Sequence, residues 1–277
     1  MALTVGVVGS GPAVNAVEAA LEDADADHRP IDASETSAVD LPIVVGVAGS
    51  DAFQRANRKT EGPWIAVELG GIGGLGLPDV EGTMSVFCPD AGCYECLAAR
   101  VRSNLTDNPV DRPTMAPADA RLLGAHAGRT AVAFAAEETA LLGTVTELPY
   151  ARRELHPVPG CDCDAEPDHR PESSFEDRSL DEVAAGMERA VDPRIGLLRE
   201  IGEAESFPAP YYLATLCDTT IFSDAQAGEQ SAGVAADWDT AFVKAIGEGL
   251  ERYCAGVYRS ASFRTDPASA VTDAVPP

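Results

Sequence analysis

Lysine is almost absent from this chain: Lys59 and Lys244 are the only two in 277 residues, and 20 basic against 45 acidic side chains leave a formal net charge of −25. Binding a nucleic-acid backbone or an anionic lipid surface requires clustered Lys and Arg, so both are excluded as principal ligands. Long apolar runs are also missing. The best stretch, residues 131–143, is interrupted by Glu137 and Glu138, and a membrane span needs about 20 predominantly apolar residues. The N-terminus has no basic segment leading into an apolar one. Leu3 to Val8 reads instead as a buried strand entering a glycine turn, which places the protein in the cytoplasm.

The acids are spread rather than gathered in a tail: residues 1–50 hold eight Asp or Glu and one Arg. Such self-repulsion fades at about 1 M salt, where the screening length is about 3 Å, and this implies the salt-rich cytoplasm of a halophile. Seven cysteines, at 88, 93, 96, 161, 163, 217 and 254, are an odd number with paired spacing, which in a cytosolic chain suggests metal rather than disulfides.

Apolar runs at Leu3–Val8, Ile43–Val47 and Trp64–Leu69, separated by an Ala-rich helix ending at about Leu21 and a polar one over Ser50–Lys59, predict βαβ units, a parallel sheet and an α/β first domain. Gly70 to Gly76 is a glycine-rich connection, and residues 118–142 form a long helical pattern with Leu122, Val132, Phe134 and Leu141 among its apolar positions. Composition then turns to Pro, Asp, Glu, Ser and Arg over Glu166 to Arg178, read as an exposed linker. Beyond it, Ser179 and Glu182 have capping-box spacing and open a helix to about Val191. Tyr211–Leu216 is a strand and Asp237–Cys254 a helix. The second domain looks short of strands, and we expect it to be incomplete.

Three constellations bear on chemistry. Gly9 and Gly11 with Val14 give two of the three small residues of a dinucleotide fingerprint, with Asp32 near the ribose-acid position; a tight βα turn explains them more simply. Cys93-Tyr-Glu-Cys96 and Cys161-Asp-Cys163, with 64 residues between Cys96 and Cys161, supply two two-sulfur claws for a tetrahedral Zn²⁺ site. Four protein ligands make such a site structural; Cys88 and His156 are spare donors, read as bystanders. On the last helix, Lys244, Glu248, Glu251 and Arg252 share one face, where two acids suit a Mg²⁺-bound phosphate and two cations suit its oxygens. A solvated ion-paired face is the alternative. Gly247 and Gly249 weigh against it, since glycine costs about 1 kcal/mol per helical position unless something approaches closely.

Ser231-Ala-Gly233 followed by residues 241–256 resembles the first ATP-binding signature of YcaO proteins, with a Glu, two residues, then Glu-Arg-Tyr on a helix. Asp192-Pro-Arg-Ile-Gly196 and the Tyr211 strand resemble the segments before it. Gly92 to Arg100 and His156 to Cys163 resemble the zinc-bearing E1-like region fused to YcaO in thiazole/oxazole-forming cyclodehydratases. The sequence departs from the pattern at Gly233-Val-Ala235, where many members carry Gly-Lys-Gly, and at Lys244, in place of a frequent Ser.

The resemblance implies a Rossmann-like E1-type α/β domain over 1–165 with a four-cysteine zinc site, a linker at 166–178, and the N-terminal part of an α+β YcaO domain over 179–277. It implies ATP and Mg²⁺ as cofactors of the complete domain, bound through Glu248, Glu251, Arg252 and Lys244, and structural Zn²⁺ on Cys93, Cys96, Cys161 and Cys163. The reaction it implies phosphorylates a peptide-bond oxygen so that a Cys, Ser or Thr side chain closes into an azoline. A peptide or protein would be the substrate, with a second copy of the chain or a dehydrogenase as partner. The remaining nucleotide-binding acids would lie beyond Pro277, so the chain alone is expected to be inactive. Three other readings are a YcaO accessory role in thioamidation or methylthiolation, a non-catalytic zinc-stabilised scaffold presenting peptide to a partner, and a dinucleotide-dependent oxidoreductase resting on Gly9 and Gly11.

Overall fold

The computed structural model describes residues 3–89, 91–106, 108–111, 113–136, 140–149, 151–163, 177–267 and 270. Glu137, Glu138 and all of the expected linker except residues 177 and 178 lie outside them.

Strands β1 (Val5–Val8), β2 (His28–Pro30), β3 (Leu41–Val47) and β4 (Trp64–Leu69) pair in parallel in the order β2-β1-β3-β4. Their apolar runs follow from burial on both faces. Ile43, Val45, Ile65 and Val67 point to a layer made by α1 (Pro12–Glu22) and α4 (Pro117–Ala135). Val44, Trp64 and Ala66 point to the opposite layer, made by α2 (Asp51–Lys59) and α3 (Tyr94–Ser103). Helix α4 approaches α1 through Gly124, where a Cβ would overlap the Ala13 carbonyl oxygen. The buried stripe of α4 is therefore made of small residues together with Leu123, while Leu122, expected among its apolar contacts, is exposed.

The parallel pairing expected from the sequence is found in these strands, and the sheet continues beyond them with antiparallel ones. After β4 the chain makes a small hairpin, β5 (Gly71–Ile72) and β6 (Leu75–Gly76), and returns as β7 (Gly82–Phe87), antiparallel to β4. β8 (Thr144–Leu148) and β9 (Ala151–Glu154) extend the sheet to seven strands, also antiparallel. The physical reason lies in the connection: residues 70–81 contain no helix, and a parallel crossover needs one or its equivalent length.

The C-terminal part is built on an antiparallel sheet of β10 (Leu198–Glu205), β11 (Tyr211–Leu216) and β12 (Gln230–Val234), in that order. It is accompanied by α5 (Leu180–Glu188), which opens on the expected Ser179–Glu182 capping box, and α6 (Trp238–Ala255), capped by Asp237. Two of these strands escaped the sequence reading. β10 is mostly charged and exposed and β12 is Gln-Ser-Ala-Gly-Val, so neither shows the apolar alternation of a half-buried strand.

The two parts meet through polar contacts that are partly buried at Arg153 and exposed at Asp79. Arg153 on β9 bridges Glu147 at 3.1 Å and Asp192 at 2.6 Å, while Arg194 reaches Asp79 at 2.6 Å. Asp192 also accepts hydrogen bonds from the Arg194 and Ile195 amides, which gives the Asp192-Pro-Arg-Ile-Gly196 segment a structural job at the junction.

Candidate metal centre and the polar face of helix α6

Cys93 is the N-cap residue of α3 and Cys96 lies in its first turn, so the first claw stands at a helix N-terminus, where thiolate is favoured. Cys96 is buried within the helix. The second claw arrives on the chain leaving β9. The sulfur separations are 3.9 Å for Cys93–Cys96, 3.7 Å for Cys93–Cys161 and 3.4 Å for Cys96–Cys163, and all four sulfurs lie within 4.8 Å of one another. Tetrahedral zinc with Zn–S bonds of about 2.3 Å has sulfurs about 3.8 Å apart, so the donor set fits the ion. The Val158 amide donates to the Cys96 sulfur at 3.3 Å. The crowded thiols split their acidities: the sulfur hydrogen bond with Cys161 pulls Cys93 down and pushes Cys163 up. A bound dication would hold all four as thiolates. Cys88 and His156 fall outside the group. Cys88 lines a cavity of about 440 Å³ that opens on Cys93, Cys161 and Cys163, and the His156 ring is 2.9 Å from the Arg189 carbonyl oxygen.

Helix α6 packs along β12, whose outer edge has no neighbouring strand among the described residues. Three of the four predicted residues run down that edge. Lys244 Nζ donates to the Val234 carbonyl at 3.3 Å, Glu248 accepts from the Ala232 amide at 3.1 Å, and Arg252 Nη1 donates to the Gln230 carbonyl at 3.1 Å. Arg252 also pairs with Glu248 at 2.6 Å. The Ala232 amide, followed by Arg252, holds the Glu248 carboxyl below its ordinary value. Four residues of helix and two of strand advance by similar distances, about 6 Å, so one helical row meets alternate strand residues. Glu251 does not join them; it is exposed and makes no hydrogen bond or ion pair among the described residues. Gly249 needs its missing side chain, because a Cβ there would crowd Leu198 and the Ser231 hydroxyl, whereas at Gly247 it would meet only the end of Met187.

At the N-terminal turn, Gly9 has φ +119° and a Cβ would overlap the Val45 carbonyl oxygen, so backbone geometry accounts for the glycine. Asp32 is engaged in its own turn, accepting from the Ser34 amide at 2.9 Å and hydroxyl at 2.7 Å.

Two charged residues that are almost fully buried, Glu68 and Arg100, were missed. Glu68, on β4, accepts from the Gly73 and Gly74 amides at 2.7 Å each and from the Tyr94 hydroxyl at 2.9 Å. Burial nonetheless pushes its pKa up. A lone acid in an apolar strand just before a glycine run was the signal. Arg100, 1% exposed, donates through Nε to the His156 carbonyl at 3.1 Å and through Nη2 to the Pro157 carbonyl at 2.7 Å. Its position one turn after Cys96 is visible in sequence, but its partners are not.

No family model and no curated protein sequence matches the chain. Among solved structures it is similar to one described as a heterocyclase in complex with substrate and cofactor, with a TM-score of 0.61 and 16% identity over 91% of this chain and 39% of that one. The chain thus shares the fold of part of that heterocyclase. It spans well under half of that protein's length. Among the described residues no helix is long and apolar enough to cross a membrane.

Proposed function

We propose that this chain is the front part of an ATP-dependent peptide cyclodehydratase of the YcaO type, working in a salt-rich cytoplasm. Residues 1–165 form an E1-like, zinc-bearing domain that docks the peptide, 166–178 a linker, and 179–277 the opening of the YcaO domain. The observation that supports this best is the heterocyclase-like fold over 91% of the chain. In this reading zinc on Cys93, Cys96, Cys161 and Cys163 is a crosslink between α3 and the segment after β9, with no open coordination position. Glu248 and Glu251 face a Mg²⁺-nucleotide, and Lys244 and Arg252 meet its phosphates. Bound there, the nucleotide would supply a phosphoryl group to a peptide-bond oxygen; a Cys, Ser or Thr side chain attacking the amide carbon would close the ring, and loss of that oxygen as inorganic phosphate would leave the azoline. No general acid or base is assigned to this chain.

A second reading has a specific observation in its favour. Lys244, Glu248 and Arg252 are already engaged along β12, as they would be in a scaffold that presents peptide to a partner carrying the nucleotide site. Calorimetric titration of Mg²⁺-ATP in molar KCl separates the two, using this chain beside a version extended through whatever coding sequence follows Pro277. The enzyme reading expects the extended protein to bind, with Glu251→Gln abolishing ATP consumption. Absence of binding by both proteins leaves the scaffold.

A further inference from the structure

Arg100 is a buried cation with no carboxylate beside it. Removing a guanidinium from water costs several kcal/mol unless its donors and charge are met, and this one is met from two directions. On one side it grips the carbonyls of His156 and Pro157, five and four residues before Cys161 on the segment carrying the second claw. On the other, its Cζ lies 5.4 Å from the ring centroids of both Phe222 and Tyr253, within cation–π range. Tyr253 is 3% exposed on α6, next to Arg252 and two residues after Glu251. The Arg100 Nη1 and Tyr253 hydroxyl atoms are buried without a geometrically formed hydrogen bond among the described residues, and the buried Cys217 thiol also lies within the influence of the guanidinium. The end of α3 reinforces the same junction: Asn104 donates to the Gly196 carbonyl at 3.0 Å, and the Ser103 carbonyl accepts from the Asp218 amide at 2.8 Å.

The geometry points to Arg100 as a positioning residue that couples occupancy of the four-cysteine centre to the placement of helix α6. The inference rests on the reading of the cysteines as a metal site and of α6 as the nucleotide helix. Metal draws the Cys161–Cys163 segment onto α3 and fixes the carbonyls before it. Those carbonyls orient the guanidinium plane, and the plane supports the Tyr253 ring. Coupling free energies are reciprocal, so a change made on α6 alters metal affinity at the opposite end of the strut.

The test is Zn²⁺ affinity of the full chain by competition with a chromophoric chelator, combined with hydrogen exchange of residues 250–255 with and without metal. Tyr253→Leu and Arg100→Met are each expected to weaken Zn²⁺ binding about tenfold, the double variant scarcely more, in line with coupling through a packed network. Arg100→Lys, which lacks the planar fork, is expected not to rescue. Val17→Ala, which thins the distant α1–α4 core, should leave affinity unchanged and so separates coupling from general destabilisation. In the wild type, chelation should speed exchange across 250–255, a readout that requires no variant to fold. Unchanged exchange on chelation, together with wild-type affinity in Tyr253→Leu, overturns the coupling while leaving the metal site. Failure of the wild type to take up Zn²⁺ overturns the metal reading and the coupling with it.

Discussion

The two candidate sites differ in where their polar atoms are spent. At the cysteine centre, four sulfurs from segments more than 60 residues apart converge on one point, and the Val158 amide reaches in toward them. Nothing local requires that convergence, because thiols pack as small apolar groups and gain little from crowding one another. On α6 the residues are neighbours on one helix, and three of them serve an unpaired strand edge a few ångströms away. Covering a bare edge is itself a reason for Lys, Glu and Arg at this spacing. Convergence over long sequence separation is therefore the stronger sign of a ligand, and a shared helical face the weaker one. The same contrast holds for the folds around them. The first part closes its central strands on both faces, whereas the second gathers a smaller core between its sheet and α6.

The largest effect that would break this contrast is at the cysteines. Chelation, or Cys161→Ala, is expected to release one Zn²⁺ per chain by metal analysis and to lower the thermal midpoint, since a structural metal contributes its binding energy to folding. Unchanged zinc content in Cys161→Ala would put the two sites on an equal footing. Next come the glycines on which each part depends. A Cβ at Gly124 overlaps the Ala13 carbonyl oxygen between α4 and α1, and one at Gly233 overlaps the Ala241 carbonyl oxygen between β12 and α6. Gly124→Ala and Gly233→Ala should each cost about 1–3 kcal/mol, the usual penalty of overpacking. Trp64 reports on the first part and Trp238 on the second. If Gly233→Ala shifts the Trp64 transition as far as the Trp238 transition, the Arg153–Asp192 junction makes the two parts one cooperative unit.

The smallest effects are pH dependences of opposite sign. Glu68 has a raised pKa, chiefly because burial disfavours its charge. The folded state therefore holds this proton more tightly than the unfolded chain, so the contribution of Glu68 is full below the ordinary carboxylate value and declines as pH rises through the raised one. Glu248 is lowered by the Ala232 amide and then by Arg252, so its contribution is present above the ordinary value and fades as pH falls through the lowered one. Thermal midpoints followed from pH 4 to pH 8 should show Glu68→Gln losing the decline at high pH and Glu248→Gln losing a shallow decline at low pH. Identical slopes in both variants would refute the assignment.

Much of the first part was legible because its signals are local. Val5–Val8 and, but for Glu68, Trp64–Leu69 are apolar, since central strands of a layered sheet are buried on both faces; in the C-terminal part, Ser179 with Glu182 announces a helix start irrespective of context. β10 and β12 were not legible, because one is largely exposed and the other is small and polar. Nor was the antiparallel return of β7, which depends on a helix-free connection rather than on the strand itself. The pairing of Cys93 and Cys96 with Cys161 and Cys163 could be read from spacing, yet Arg100, which anchors the second pair, could not.

The amino-acid sequence by itself determined the acidic charge, the parallel core strands, the helix start at Ser179 and the grouping of the four cysteines. These are set by composition and by short-range periodicity. Tertiary structure alone decided that the sulfurs meet at tetrahedral spacing, that Glu251 stands apart from Lys244, Glu248 and Arg252, and that Arg100 lies between the cysteine segment and Tyr253. Each of these depends on which distant backbone carbonyl, amide or ring the folded chain brings within about 3 to 6 Å, a distance that residue spacing along the chain does not encode.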